Sequence, residues 1–314
     1  MTVHRTAPGI PFTIHPATRM GPVHLTVADL DGQIDFYREV LGCALHWRSG
    51  DEAGLGAGQE DLLRLTERTG ALRAGGTTGL YHFAVLVPDR KELARLLARL
   101  FSLRYPNYPT DHVMTETTYL EDPEGNGIEI YVDTPEDGSF AIVNGRFVAR
   151  DANGIVRSGR DPLDVAALLA ELGPGDRLEE PLPAGTRIGH VHLHVADLDQ
   201  AVDFYHRLLG FGDQGISTEL GAAFVSAGGY HHHIGLNTWL GAGAPPPPPG
   251  ALGLRHFTIV LPDQAELERL VERLRNAGLA AKASDAGMLV RDPSHNGVLL
   301  VEPSALIRPG GGTT

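Results

Sequence analysis

The sequence predicts an α+β fold in which four βαβββ modules form two open β-barrels. Two pairs of internal repeats, a capping aspartate at the same place in each repeat, and strand-like runs after each helix carry that reading. Val23–Gly42 and Val191–Gly210 agree at 13 of 20 positions without a gap, and Leu80–Leu100 and Leu254–Leu274 agree at 11 of 21. Such repeats mark one supersecondary unit used again, each too small to bury its apolar face alone.

Each unit opens on an alternating or β-branched run, the signature of a strand. Asp29, Asp89, Asp197 and Asp263 come next, and a carboxylate there can accept from the first unpaired helical N–H groups. Leu30, Ile34, Tyr37 and Leu41 then share one face of the first helix. Gly42 and Gly210 are placed to end the first and third helices in the left-handed conformation. Strands are expected at His112–Leu120 and Ile128–Val132 in the second unit, and at Ala222–Ala227 and His233–Trp239 in the third. The modules span 21–76, 77–134, 188–245 and 251–306, after an N-terminal extension over 1–20. The insert 135–187 carries turn signals at Asn144-Gly145, Asn153-Gly154 and Gly173-Pro174-Gly175, with a helix expected over Pro162–Leu172. Pro245–Pro249 make Gly241–Gly250 an extended connector.

At 314 residues the chain has room for two domains. A net charge of −13 with no Lys/Arg-rich run argues against nucleic acid or an anionic membrane as partner. No apolar run approaches the ~20 residues a spanning helix needs, and the first twenty residues hold no sustained apolar stretch, so no signal peptide is read. A cytoplasmic protein is expected. The single cysteine, Cys43, excludes an internal disulfide and a multi-thiolate zinc site. The 15 histidines are unusual, and six of them crowd into Gly189–His194 and Tyr230–His233.

The second unit contains His112-(x5)-Thr118-Tyr119-(x2)-Asp122-Pro123-Glu124-Gly125-(x3)-Glu129. Set in a fourfold repeat, this run resembles the vicinal-oxygen-chelate superfamily, and within it the two-domain extradiol catechol 2,3-dioxygenases. Thr118 departs from the signature, which has an aliphatic residue there. The resemblance covers nearly everything except the first twenty residues and the insert. It implies an enzyme that opens the ring of a catechol with O₂, a mononuclear Fe(II) cofactor (Mn(II) being possible), and a homo-oligomer.

Iron oxygenation of this kind needs two neutral imidazoles and one carboxylate on one face, with positions left open. The resemblance puts a histidine seven residues before the capping aspartate, which is Pro22, His82, His190 and His256 in the four units. It puts the carboxylate six residues after the Asp-Pro proline, at Glu129 in the second unit and Leu299 in the fourth. Only the second and third units give a full set: His82, Glu129 and His190. They are therefore expected to form the catalytic barrel, and the first and fourth a metal-free one. The fallback is sequential pairing, with His24 beside His82 and Glu129. Glu302 is three residues from Leu299, an odd offset that turns it to the other strand face.

The run His231-His232-His233 is read as a strand with alternating side chains. The resemblance makes His232 the acid–base residue beside the O₂ position, with His231 next to it, and has His112 and Tyr119 hydrogen-bond the catecholate oxygens. His192 and His194 share the face of His190, and either orient ligands or fill the barrel. Trp47, Trp239, Phe83 and Tyr131 are read as core or pocket lining. Two alternatives stay open. A glyoxalase-like metal-dependent isomerase or lyase normally needs a fourth ligand, and a metal-free ligand-binding protein typically lacks the strand-opening ligands.

Overall fold

A computed structural model describes residues 12–284 and 286–306; most of the expected N-terminal extension, 1–11, lies outside the described residues. The first unit runs β1 (Arg19–Val27), α1 (Leu30–Glu39), β2 (Ala44–Ser49), β3 (Glu52–Ala57) and β4 (Glu60–Glu67). The second runs β5 (Gly79–Leu86), α2 (Arg90–Ser102), β6 (Tyr108–Asp111), β7 (Thr115–Glu121) and β8 (Gly127–Asp133). The insert supplies β9 (Gly138–Val143), β10 (Arg146–Asp151), β11 (Val156–Arg157), β12 (Asp161–Pro162) and α3 (Val165–Leu169). The third unit has β13 (Arg187–His194), α4 (Leu198–Val202) running into a π-helical turn at Asp203–Leu208, β14 (Gly212–Ser217), β15 (Ala222–Ser226) and β16 (Ile234–Asn237). The fourth has β17 (Gly253–Val260), α5 (Gln264–Asn276), β18 (Lys282–Ser284), β19 (Gly287–Arg291) and β20 (Gly297–Val301). The class is α+β.

Each unit's helix starts at its aspartate. Asp29, Asp89, Asp197 and Asp263 accept from the backbone N–H of Gly32, Glu92, Gln200 and Glu266. Gly42 and Gly210 take φ of +81° and +88° after α1 and the π-helical turn, the left-handed region where a side chain is strained.

Two open sheets result. The order β18-β19-β20-β17-β1-β4-β3-β2 joins strands of the first and fourth units, and β12-β6-β7-β8-β5-β13-β16-β15-β14 joins those of the second and third. The seams are antiparallel, β1 on β17 and β5 on β13. The helices tie the units the other way. Tyr37 on the first unit's helix donates to Asp122 in the second unit's Asp-Pro loop at 2.8 Å, and Tyr205 of the third unit donates to Asp292 of the fourth at 2.9 Å. One apolar core runs through both sheets, including Leu25, Phe83, Leu193, Tyr205 and Phe257.

Local expectations fail where a turn competes with a periodic pattern. The insert's helix covers Val165–Leu169 and not Pro162–Leu172, because Asp164 caps it and Pro162 pairs with Thr110. His112 precedes β7, separated from it by Val113 at φ +75°. The histidine triplet is no strand: Gly228 and Gly229 at φ +62° and +79° turn the chain, and β16 begins only at Ile234. No helix among the described residues is long and apolar enough to cross a membrane.

Candidate metal centre

The seam between β5 and β13 lies at the middle of the larger sheet. His192 pairs with His82 across it, His190 with Ala84, and β8 runs parallel on the far side of β5 with Glu129 opposite Ala84. These registers place His82, His190 and Glu129 on one face. Their donor atoms all lie within 4.8 Å of one another and all three residues are buried. Glu129 Oε2 is 3.1 Å from His82 Nε2 and 3.0 Å from His190 Nε2, and the two nitrogens are 3.4 Å apart.

This triangle fits a metal. Imidazole and carboxylate donors about 2.0–2.3 Å from one first-row ion, at right angles to each other, lie about 2.8–3.3 Å apart. Charge points the same way. Burial pushes Glu129 up, but His190 and His82 outweigh it and hold its carboxyl well below the usual carboxylate range. Burial takes His190 down to about 4, Glu129 opposing it. A carboxylate held low and an imidazole lowered by burial are a donor set that would suit a divalent cation. His82 Nδ1 and His190 Nδ1 are buried and have no protein hydrogen-bond partner.

The fallback set is not assembled. His24 lies on the other sheet opposite His256, and its Nε2 bonds Thr66 Oγ1 at 2.7 Å. Leu299 and Glu302 are likewise on the fourth unit, away from His82.

The triplet's bend brings both His232 and His231 beside the site. His232's ring lies 4.2 Å from His190's, His231's lies 6.1 Å away, and His233 Nδ1 accepts from the Ala227 N–H. Asp133 Oδ1 is 3.1 Å from His231 Nε2, and His231 Nδ1 is 2.8 Å from His232 Nδ1. A carboxylate accepts, so His231 donates from Nε2; its Nδ1 then accepts from His232 and leaves His232 Nε2 as a free base. Burial first, then His190 and His231, hold His232 well below the ordinary histidine range. Tyr230 also donates to Asp133 at 2.9 Å, and its hydroxyl lies 2.6 Å from that of Tyr131.

His112 and Tyr119 meet on the other flank. His112 Nδ1 donates to the Gly159 carbonyl at 2.5 Å, which leaves Nε2 to accept from the Tyr119 hydroxyl at 2.7 Å. Burial, then the Glu129 charge, raise Tyr119 well above the ordinary phenol range. His192 is buried, 5.2 Å ring to ring from both His82 and Tyr81. Its ring needs Gly235, where a Cβ would come within 2.9 Å. Phe224, Trp239 and Tyr81 complete an aromatic wall. Burial lowers His194, whose Nδ1 is 2.7 Å from Asn237 Oδ1.

Sequence reasoning missed Asp133 and the Gly159 carbonyl. Asp133 had a signal, since it is an even offset from Glu129 and shares its strand face; a backbone carbonyl from the insert had none.

The model of the Glyoxalase/Bleomycin resistance protein/Dioxygenase superfamily matches residues 19–130 and 187–299. A catechol-2,3-dioxygenase of Bacillus subtilis (strain 168) is 42% identical over 284 residues, covering 90% of this chain and 96% of that protein. Among solved structures, a putative dioxygenase from Bacillus subtilis subsp. subtilis str. 168 gives a TM-score of 0.62 at 14% identity, over 96% of this chain and 88% of that one. Glyoxalase I from Zea mays gives 0.54 at 18% identity, over 92% and 94%. Both structures are similar in fold.

Proposed function

The chain belongs to the Glyoxalase/Bleomycin resistance protein/Dioxygenase superfamily, and from that premise we propose that it is an extradiol dioxygenase, cleaving the ring of a catechol with O₂ at a mononuclear Fe(II) held by His82, Glu129 and His190. The observation that carries this is the buried triangle of two Nε2 atoms and one carboxylate oxygen, joined to a relative 42% identical that bears the name catechol-2,3-dioxygenase. Held by His82, Glu129 and His190, the metal would supply Lewis-acid and redox chemistry toward a substrate with two vicinal oxygens.

The chain's own side chains do the rest. Tyr119, un-ionised and with its proton committed to His112, offers a lone pair to a substrate hydroxyl. His232 Nε2 accepts a proton and returns one where oxygen is being reduced, and His231 and Asp133 fix which nitrogen does so. Phe224, Trp239 and Tyr81 pack around His192 and offer aromatic surface on that flank of the site. Cys43, a buried free thiol, fits the reducing cytoplasm. Fe(II)-loaded protein given catechol in air is expected to turn yellow as a muconic semialdehyde forms. A colourless reaction with no O₂ uptake would refute the assignment.

A further inference from the structure

We propose that the 8-stranded sheet carries a second ligand site, built for a small organic anion with an apolar body, at the place where the 9-stranded sheet carries its metal-ligand set. Apart from β12, which has no counterpart, the two sheets correspond strand for strand by register. His24 opposes His256 across β1 and β17 as His192 opposes His82 across β13 and β5. Leu299 opposes Thr258 where Glu129 opposes Ala84. Arg64 stands opposite His24 where Gly235 stands opposite His192. Arg291 pairs with Gly297 where Glu121 pairs with Gly127. Arg255 precedes His256 where Tyr81 precedes His82.

At these positions two carboxylates give way to a leucine and an arginine, and two uncharged residues to arginines. Glu52, where the other sheet has Ala222, runs the other way, but Thr66 engages it, and Asp61 is taken by Arg64, which leaves Arg255 and Arg291 as the cations without a carboxylate partner among the described residues.

The place is open and incompletely satisfied. His24, Arg64, Arg255, His256 and Arg291 line one end of a cavity of about 1810 Å³ that reaches His82 and Tyr119 at the other. The imidazoles of His24 and His256 meet edge to face with centroids 4.8 Å apart. His24 is committed to Thr66, which donates to Glu52 at 3.0 Å. His256 makes no hydrogen bond among the described residues. Arg64 is paired with Asp61 at 3.2 Å, whereas Arg291 spends one Nη1 proton on the His295 carbonyl and Arg255 has no ion pair among the described residues. Burial, then Arg255, Arg64 and Arg291, take His256 down to about 4, which registers the positive potential an anion would relieve. Trp47, which bonds Asp61, and the paired Leu289 and Leu299 give the same end apolar walls. Guanidinium groups take a carboxylate through paired N–H donors, so an aromatic or similarly apolar carboxylate is the class that fits.

The test is calorimetry of metal-loaded protein with benzoate, and with benzyl alcohol as its neutral counterpart. Benzoate is expected to bind saturably, benzyl alcohol much more weakly, and benzoate is expected not to compete with catechol in turnover. Arg255→Gln/Arg291→Gln should weaken benzoate about tenfold or more, the scale of losing charge-assisted hydrogen bonds, with catechol turnover unchanged. Leu299→Glu, which restores the first sheet's carboxylate, should weaken it also. Absence of benzoate binding, equal binding by the double variant, equal binding of benzyl alcohol, or simple competition with catechol would each overturn the proposal. If the protein cleaves no catechol, the calorimetric comparison still decides it.

Discussion

Asp133, His231 and His232 form a line of three groups in which each fixes the proton of the next, ending at a nitrogen beside His190. His232→Ala is therefore expected to lower turnover by about 10²–10⁴-fold, the usual scale for a lost acid–base group, while bound metal stays near one per chain by elemental analysis. Loss of the metal along with turnover would make His232 a ligand instead. Asp133→Asn keeps the shape but offers His231 an uncharged partner, so turnover should fall with metal content kept; an unchanged rate would remove Asp133 from the relay. At this scale the sequence displays residue types and spacing but not tautomers. His112 and Tyr119 stand in a readable motif, whereas the carbonyl that orients His112 belongs to Gly159, 47 residues further on.

Periodicity and capping chemistry were enough to place the four helices, since each aspartate, a β-region cap and an amphipathic run act locally. The three-histidine run was misread because its alternation mimics a strand while two left-handed glycines upstream turn the chain. The insert's contribution, β12 as an edge strand and α3, follows from tertiary pairing that short polar segments do not announce. Element geometry also separates the histidines. His190→Ala is expected to abolish iron retention as fully as His82→Ala, and His256→Ala to leave it intact, measured as iron per chain after anaerobic desalting. The helix-to-loop latches make a stability prediction of the same kind. Tyr205→Phe strips a donor from buried Asp292 and should lower unfolding free energy by about 1–3 kcal/mol, read by urea denaturation; a change within error would mean water replaces the hydroxyl.

Across the whole molecule, one sheet gathers carboxylate and imidazole donors and the other repeats the architecture with His256 kept and Pro22 and Leu299 in place of His190 and Glu129. Chain order hides this, because the sheets join units two with three and one with four, while Tyr37 and Tyr205 latch neighbours in sequence. The second sheet has its own pH signature. Burial, then nearby cations, take His256 from 6.5 to about 4, and burial with His256 takes His24 from 6.5 to about 2. Folded values lie below the unfolded ones, so this stability is complete above about pH 6.5 and is lost as pH falls toward 4, at about 1.4 kcal/mol per pH unit for each histidine. In urea denaturation His256→Leu should show a shallower slope over that window, and an identical slope would contradict the burial argument. The most direct test of the central claim is an anaerobic crystal structure of the Fe(II)-loaded protein. The account predicts one iron with His82 Nε2, His190 Nε2 and a Glu129 carboxylate oxygen at about 2.0–2.3 Å. Iron bound by His24, or by His190 together with His256, would contradict it.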